Sequence, residues 1–158
     1  MPDDSFGHWL SGLTDGEGCF SLRWAGDITD GPCAEFAINL RADDVDILYI
    51  IQSYLGCGNI GNLKQTRGSN PCVSYRVRKA GDLAEIIVPH FEKFPLRAKK
   101  RHDFEIWKEG VNLIWSVVKL PKYIGALRWT LENRGEFGCI VQLLSNGRKY
   151  KCDNLNVV

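Results

Sequence analysis

The stretch Trp9-Leu10-Ser11-Gly12-Leu13-Thr14-Asp15-Gly16-Glu17-Gly18 limits what this chain can fold into more than any other part of it. It reads as a short helix, with Trp9 and Leu13 on one face at i and i+4 and with Gly12 and Gly16 at the same spacing on another. A glycine inside a helix costs about 1 kcal/mol relative to alanine, so two of them need a compensating contact. Close approach of a second backbone is the usual one. The segment also ends in Asp15 and Glu17. Carboxylates at the negative end of a helix dipole are disfavoured unless a cation lies nearby, which points to a metal.

Residues Leu10 to Gly18 resemble the motif that names the LAGLIDADG homing endonucleases. Ser11 stands for the first Ala, Thr14 for Ile, Gly16 for the second Ala and Glu17 for the last Asp. The resemblance implies that two such helices pack across the centre of the enzyme. It also implies that the last acid of each, here Glu17, reaches a divalent metal at the scissile phosphate with help from the Gly16 carbonyl. The cofactor it implies is Mg²⁺, with Mn²⁺ or Ca²⁺ able to substitute for binding. A family lysine near the start of a later helix reaches the catalytic centre; Lys99 is the match by position and Lys100 the second choice. The polar residue that relatives often carry at the end of the second strand falls on Leu40 in an ungapped reading.

The chain after this helix alternates and then repeats. The first helix takes Asp4 or Ser5 as its N-cap, and residues 19–25 set Phe20, Leu22 and Trp24 against Ser21, Arg23 and Ala25, as a half-buried strand does. Gly26 to Pro32 supplies turn chemistry, and residues 34–41 alternate again, with Phe36, Ile38 and Leu40 inward and Glu35, Ala37, Asn39 and Arg41 outward. Asp43 caps a helix with Ile47, Leu48, Ile51 and Leu55 at helical spacing, and Gly56 stops it. Asn59 to Lys64 is a weak strand and Thr66 to Pro71 a turn. Residues 73–78 then set Val73, Tyr75 and Val77 against Ser74, Arg76 and Arg78. Asp82 opens a helix that buries Leu83, Ile86 and Ile87. One helix followed by two strand-strand-helix units predicts an α+β fold, a four-stranded antiparallel sheet backed by helices. This is the order of the LAGLIDADG core, and the resemblance covers about residues 5–115.

Past Pro95, the cluster Leu96-Arg97-Ala98-Lys99-Lys100-Arg101 opens a helix bearing Phe104, Trp107, Val111 and Trp115. Four cations at a helix N-terminus oppose the dipole, and a phosphate would explain them. Pro121 starts a further helix with Ile124, Leu127 and Leu131, ending before Gly135. Ile140 to Leu144 with Asn146-Gly147 is either a short helix with its cap or a hairpin arm, the helix being favoured. The basic tail Arg148-Lys149-Tyr150-Lys151 offers a phosphate contact.

At 158 residues the expectation is one domain, residues 1–158, with its core at about 5–115 and a helical extension at about 116–158. Six cysteines without a CxxC pair or zinc spacing fit reduced thiols in an intracellular, soluble protein, and no apolar run is long enough for a membrane span. His8, His90 and His102 lack partner spacing and read as surface or packing residues. A net charge of +1 does not by itself predict nucleic-acid binding, so a DNA site must come from local clustering. The polar sheet face offers one: Ser21, Arg23, Glu35, Ala37, Asn39, Arg41, Ser74, Arg76 and Arg78 form a mixed surface suited to base edges.

Only one such motif is present, which by the resemblance is half an active site. The expectation is therefore a homodimer joined through Trp9, Gly12, Leu13 and Gly16. Such a dimer would read a pseudo-palindromic target, and the resemblance implies that it cleaves both strands of the DNA across the minor groove, leaving 3′ overhangs. The alternative is an intron RNA maturase or a DNA-binding protein that does not cut.

Overall fold

The computed structural model describes residues 4–24, 31–63, 70–120 and 129–148. Helix α1 (Asp4–Glu17) runs directly into strand β1 (Gly18–Trp24), followed by β2 (Pro32–Arg41). A 3-10 turn, Ala42–Asp44, leads to α2 (Val45–Leu55), β3 (Asn59–Asn62) and β4 (Cys72–Val77). Helices α3 (Ala80–Asp82) and α4 (Val88–Lys93) are joined into one rod by a π turn at Leu83–Ile87. Helices α5 (Lys100–Val118) and α6 (Leu131–Arg148) complete the described chain. The α+β fold is thus as the periodicities predict. No helix among the described residues is long and apolar enough to cross a membrane.

The four strands form one antiparallel sheet in the order β1-β2-β4-β3. Because successive side chains alternate, Phe20, Leu22, Phe36, Ile38, Val73, Tyr75 and Val77 all point to one side and are buried there. The ring of Phe20 is the hub, with centroids 5.3 Å from Phe36, 5.5 Å from Phe91, 5.5 Å from Phe104 and 4.9 Å from Trp107. Burying a phenylalanine of this kind contributes about 2 kcal/mol, so this cluster clamps α4 and α5 to the sheet. Trp107 also donates its indole N–H to the Ser21 carbonyl at 3.2 Å, satisfying the polar end of a fully buried ring.

Gly56 ends α2 in the left-handed conformation, φ 69°, and its N–H donates to the Gln52 carbonyl, as expected of a C-terminal glycine. The expected N-caps are corrected. Asp43 caps nothing and pairs with Arg41 at 2.9 Å, because the 3-10 turn puts it beside that guanidinium. Asp4 lies inside α1 and pairs with Lys93. The rod of α3 and α4 starts at Ala80, ahead of Asp82, which pairs with Lys79. Pro89 explains the π turn: it has no N–H for the Glu85 carbonyl and its ring crowds that oxygen, so the preceding turn widens.

Gly135 does not end a helix but sits inside α6, and Asn146-Gly147 is the last turn of the same helix. The α6 pattern reads as broken because only Phe137, Ile140 and Leu144 are buried in 18 residues. The expected turns at 26–32 and 66–71 lie mostly outside the described residues, as do Ile124, Leu127 and the tail beyond Arg148. Arg148 itself donates to the Phe20 carbonyl and lies 3.7 Å from Asp103, so it holds α6 to β1 and α5.

Candidate functional site

Helix α1 buries Gly7, Leu10, Ser11 and Thr14 and leaves Trp9, Gly12 and Gly16 open, with Leu13 half-buried between the two faces. Gly7 is needed by the chain's own packing, since a Cβ there would lie 2.4 Å from the Phe94 ring. The Ser11 hydroxyl donates to the Phe94 carbonyl at 2.6 Å, which ties the buried face to the segment leading into α5. Gly12 and Gly16 are different: a Cβ on either would meet nothing within 4 Å. Among the described residues nothing calls for glycine at either position, so both carry the helix cost of glycine without a contact that requires it.

The end of α1 meets the start of β1 without a linker. Gly18 permits this, because a Cβ on it would sit 2.7 Å from the Thr14 carbonyl. Glu17, the last helical residue, is exposed, and its carboxylate has no hydrogen bond or ion pair with the described residues. Beside it, the Lys100 ammonium donates to the Gly18 carbonyl and reaches the Gly16 carbonyl at 3.5 Å. Lys99 points elsewhere, exposed at the N-terminal boundary of α5. Of the two lysines considered from sequence, the structure brings Lys100 to the end of α1. Asp15 turns away from Glu17, and its Oδ2 accepts the N–H groups of Arg97 at 2.8 Å and Ala98 at 3.2 Å.

Strand register then places the sheet residues. Gly18 pairs with Ile38, so Asn39, one step further along β2, is exposed on the polar face at the Glu17 end of the strand. Leu40, where the ungapped reading places the family's polar residue, is on the opposite face and half-buried. Asn39 pairs in turn with Ser74, Ala37 with Cys19 and Arg76, and Glu35 with Ser21. Arg23, Asn39 and Arg41 are exposed, and Ser21, Glu35 and Arg76 half-buried.

Two of the expected contact residues, Ala37 and Ser74, need correction. Ala37 is only 4% exposed and Ser74 only 1%, and the Ser74 hydroxyl accepts the Arg76 Nε–H at 2.9 Å. Ser74 therefore orients Arg76 while the arginine presents the polar surface. Arg78 lies past the end of β4 and pairs with Glu35 across the sheet. Arg41 is held by Asp43, whose carboxylate lies below its usual range through the hydrogen bond from Arg41.

The weak strand expected at 59–64 is β3, where Asn59 pairs with Arg76 and Gly61 with Ser74; what sequence reading missed is its place on the polar face. A groove of about 350 Å³ runs along this edge between Asn59, Asn62, Arg76, Arg78 and Lys79. With four residues, one of them glycine, β3 is too short for alternation to show, although its asparagines carry the donors and acceptors a base edge needs.

Among the described residues no three His, Cys, Asp or Glu side chains come together as a metal cluster. This chain can offer a hard cation the Glu17 carboxylate and the Gly16 carbonyl, both oxygen donors, which is an incomplete set. His90 is buried against Tyr54, Phe91 and Phe94, with its pKa lowered to about 4, chiefly by desolvation, and plays no part here.

Comparison with known proteins adds an independent line. The sequence profile described as LAGLIDADG endonuclease matches residues 10–111. The chain is 36% identical over 113 residues to the probable intron-encoded endonuclease Cox1-I1b of Schizosaccharomyces pombe, covering 70% of this chain and 28% of that protein. It is 32% identical over 117 residues to the probable intron-encoded endonuclease 3 of Neurospora crassa, covering 67% of this chain and 20% of that one. The match thus spans only 20% to 28% of the length of these curated relatives. Among solved structures, the I-SmaMI LAGLIDADG homing endonuclease bound to cleaved DNA superposes with a TM-score of 0.72 at 28% identity. That match covers 93% of this chain and 45% of the other.

Proposed function

The chain belongs to the LAGLIDADG endonuclease family, and from this premise we propose that it forms half of a site-specific double-stranded DNA endonuclease whose other half is a second copy of the chain. The observation that carries the proposal is the placement of Glu17. An unpaired carboxylate, the Gly16 carbonyl and the Lys100 ammonium meet where an open glycine face of α1 joins the polar face of the sheet. Two α1 helices packed through Trp9, Gly12, Leu13 and Gly16 bring two Glu17 carboxylates together, and two sheets then follow a pseudo-palindromic duplex.

The residues fit a divalent cation of the Mg²⁺ type, because a second copy doubles the oxygen donors that one chain offers. When bound, such an ion supplies activation of water and stabilisation of the leaving oxygen. Glu17 and the Gly16 carbonyl would hold it, with Mn²⁺ or Ca²⁺ as substitutes for binding. Lys100 places a fixed positive charge where negative charge develops on the phosphate. Asn39, exposed on β2 beyond the Gly18–Ile38 pair, offers an amide to hydrogen-bond water at the same end of the sheet. Arg23, Arg76, Asn59 and the Glu35–Arg78 pair grip and read the duplex, arginine being suited to guanine and asparagine to adenine.

The test pairs cleavage with binding on a library of DNA sites. Wild-type protein should cut a subset in Mg²⁺ and none in its absence. Glu17→Gln should lose cleavage, since a neutral amide is a poor ligand for a hard cation, while affinity in Ca²⁺ survives because the contact surface is the sheet. A Glu17→Gln protein that cuts at the wild-type rate would remove Glu17 from the chemistry. Binding without cleavage on every target would leave a DNA-binding module.

A further inference from the structure

Asp15 is the second acid of the α1 motif, and its surroundings are unlike those of Glu17. One carboxylate oxygen, Oδ2, accepts the backbone N–H groups of Arg97 and Ala98. The other, Oδ1, is shielded from solvent without a hydrogen-bond partner among the described residues. Near the C-terminus of α1 the helix dipole disfavours an acid. What offsets this is the next helix. The first turn of α5 is tightened by hydrogen bonds from the Arg101 N–H to the Ala98 carbonyl and from the His102 N–H to the Lys99 carbonyl, both 3.0 Å. Asp15 thus caps, from another element, amides that would otherwise lie unpaired just before that turn.

The link runs in both directions. Asp15 of α1 holds residues 97 and 98, and Lys100, two residues on, returns to the Gly16 and Gly18 carbonyls on either side of Glu17. Leu96 is anchored in the core and Phe94 by Ser11, so Asp15 is the tether nearest the lysine. The Lys100 stem is long and flexible, and the backbone beneath it sets where the ammonium rests. We propose that Asp15 is the positioning residue for Lys100: by accepting the Arg97 and Ala98 N–H groups it fixes the start of α5 so that the Lys100 ammonium stays beside Glu17. The assignment rests on the catalytic reading of Lys100 given above.

The experiment has an arm that needs no nuclease activity. Acetylation of lysines by a limiting acylating reagent, read by mass spectrometry, compares Lys100 with exposed Lys99 in the same molecule. In wild type Lys100 should react more slowly than Lys99. Asp15→Ala should raise it to the Lys99 level, Asp15→Ser should give a graded rise, and Asp15→Asn, which keeps the acceptor oxygen, should stay near wild type. In the second arm, Asp15→Ala should lower single-turnover cleavage about 100-fold, the scale for a small misplacement of a reacting group, with DNA affinity in Ca²⁺ little changed. In a Lys100→Met background the same substitution should cost nothing further, since one residue acts through the other. Unchanged Lys100 reactivity in both Asp15→Ala and Asp15→Ser would overturn the proposal, as would a full cleavage loss that persists in the Lys100→Met background. If wild type cuts no target, the endonuclease reading fails, and acetylation alone still decides the link between Asp15 and Lys100.

Discussion

At the scale of single residues, this chain separates acids and bases by what their neighbours allow. Asp15 and Glu17 are two positions apart on one helix; the first meets backbone amides of another segment, and the second is open to solvent. His90 is the opposite case, a base taken out of water, with Nε2 buried without a partner among the described residues and its pKa lowered to about 4 by desolvation and, secondarily, by Lys93. The sign of the effect follows. Above the ordinary histidine value both folded and unfolded chains hold it neutral. Between about 6.5 and 4 the unfolded chain binds the proton and the folded chain does not, so stability falls as the pH drops through that window. The full loss is on the order of 3 kcal/mol. Urea denaturation at pH 7 and pH 4.5 should show most of that drop in wild type and a smaller one in His90→Phe; equal drops would assign the pH dependence to other groups.

At the scale of elements, glycines divide by what stands opposite them. In α1 the Gly7 position faces the Phe94 ring, with three ring atoms at 2.4, 2.5 and 2.6 Å from where a Cβ would be. Phe94 is itself buried, and its carbonyl accepts Ser11, so it cannot move freely. Gly7→Ala should therefore destabilise the chain by about 1–3 kcal/mol, the usual cost of overpacking. Gly135 in α6 has nothing within 4 Å of its missing Cβ. Gly135→Ala should stabilise by up to about 1 kcal/mol, since only helix propensity changes. Urea midpoints should shift in opposite directions, and a shared sign would mean that the close approach of α1 to Phe94 is not what requires Gly7.

At the scale of the whole molecule, the proposed second copy would cover the open glycine face of α1 and complete the donor set at Glu17. Gly12→Leu meets no atom of the described residues near the new Cβ, so the folded protomer should tolerate it. Association through α1 should not, because a leucine would be forced into a backbone contact. Sedimentation should find wild type as a dimer on DNA and Gly12→Leu as a monomer with an unchanged urea midpoint. A monomeric wild type on its DNA target, or a dimeric Gly12→Leu variant, would rule out this interface between copies of the chain.

The sequence by itself determined the helix that carries Glu17, the order of strands and helices, the inward face of the sheet and the end of α2 at Gly56. These follow from spacing along the chain, period two for strands and close to four for helices, and from residues with strong local preferences. Only the tertiary structure decided between Lys99 and Lys100, because neighbouring side chains on one turn point about 100° apart and the packing of α5 chooses which meets α1. The same holds for Asp43, which takes Arg41 in place of a helix end. Local sequence carries no record of which backbone amide or carbonyl a distant segment will present. Asp15 meets residues 97 and 98 only because Phe94 and Leu96 are already packed beneath it.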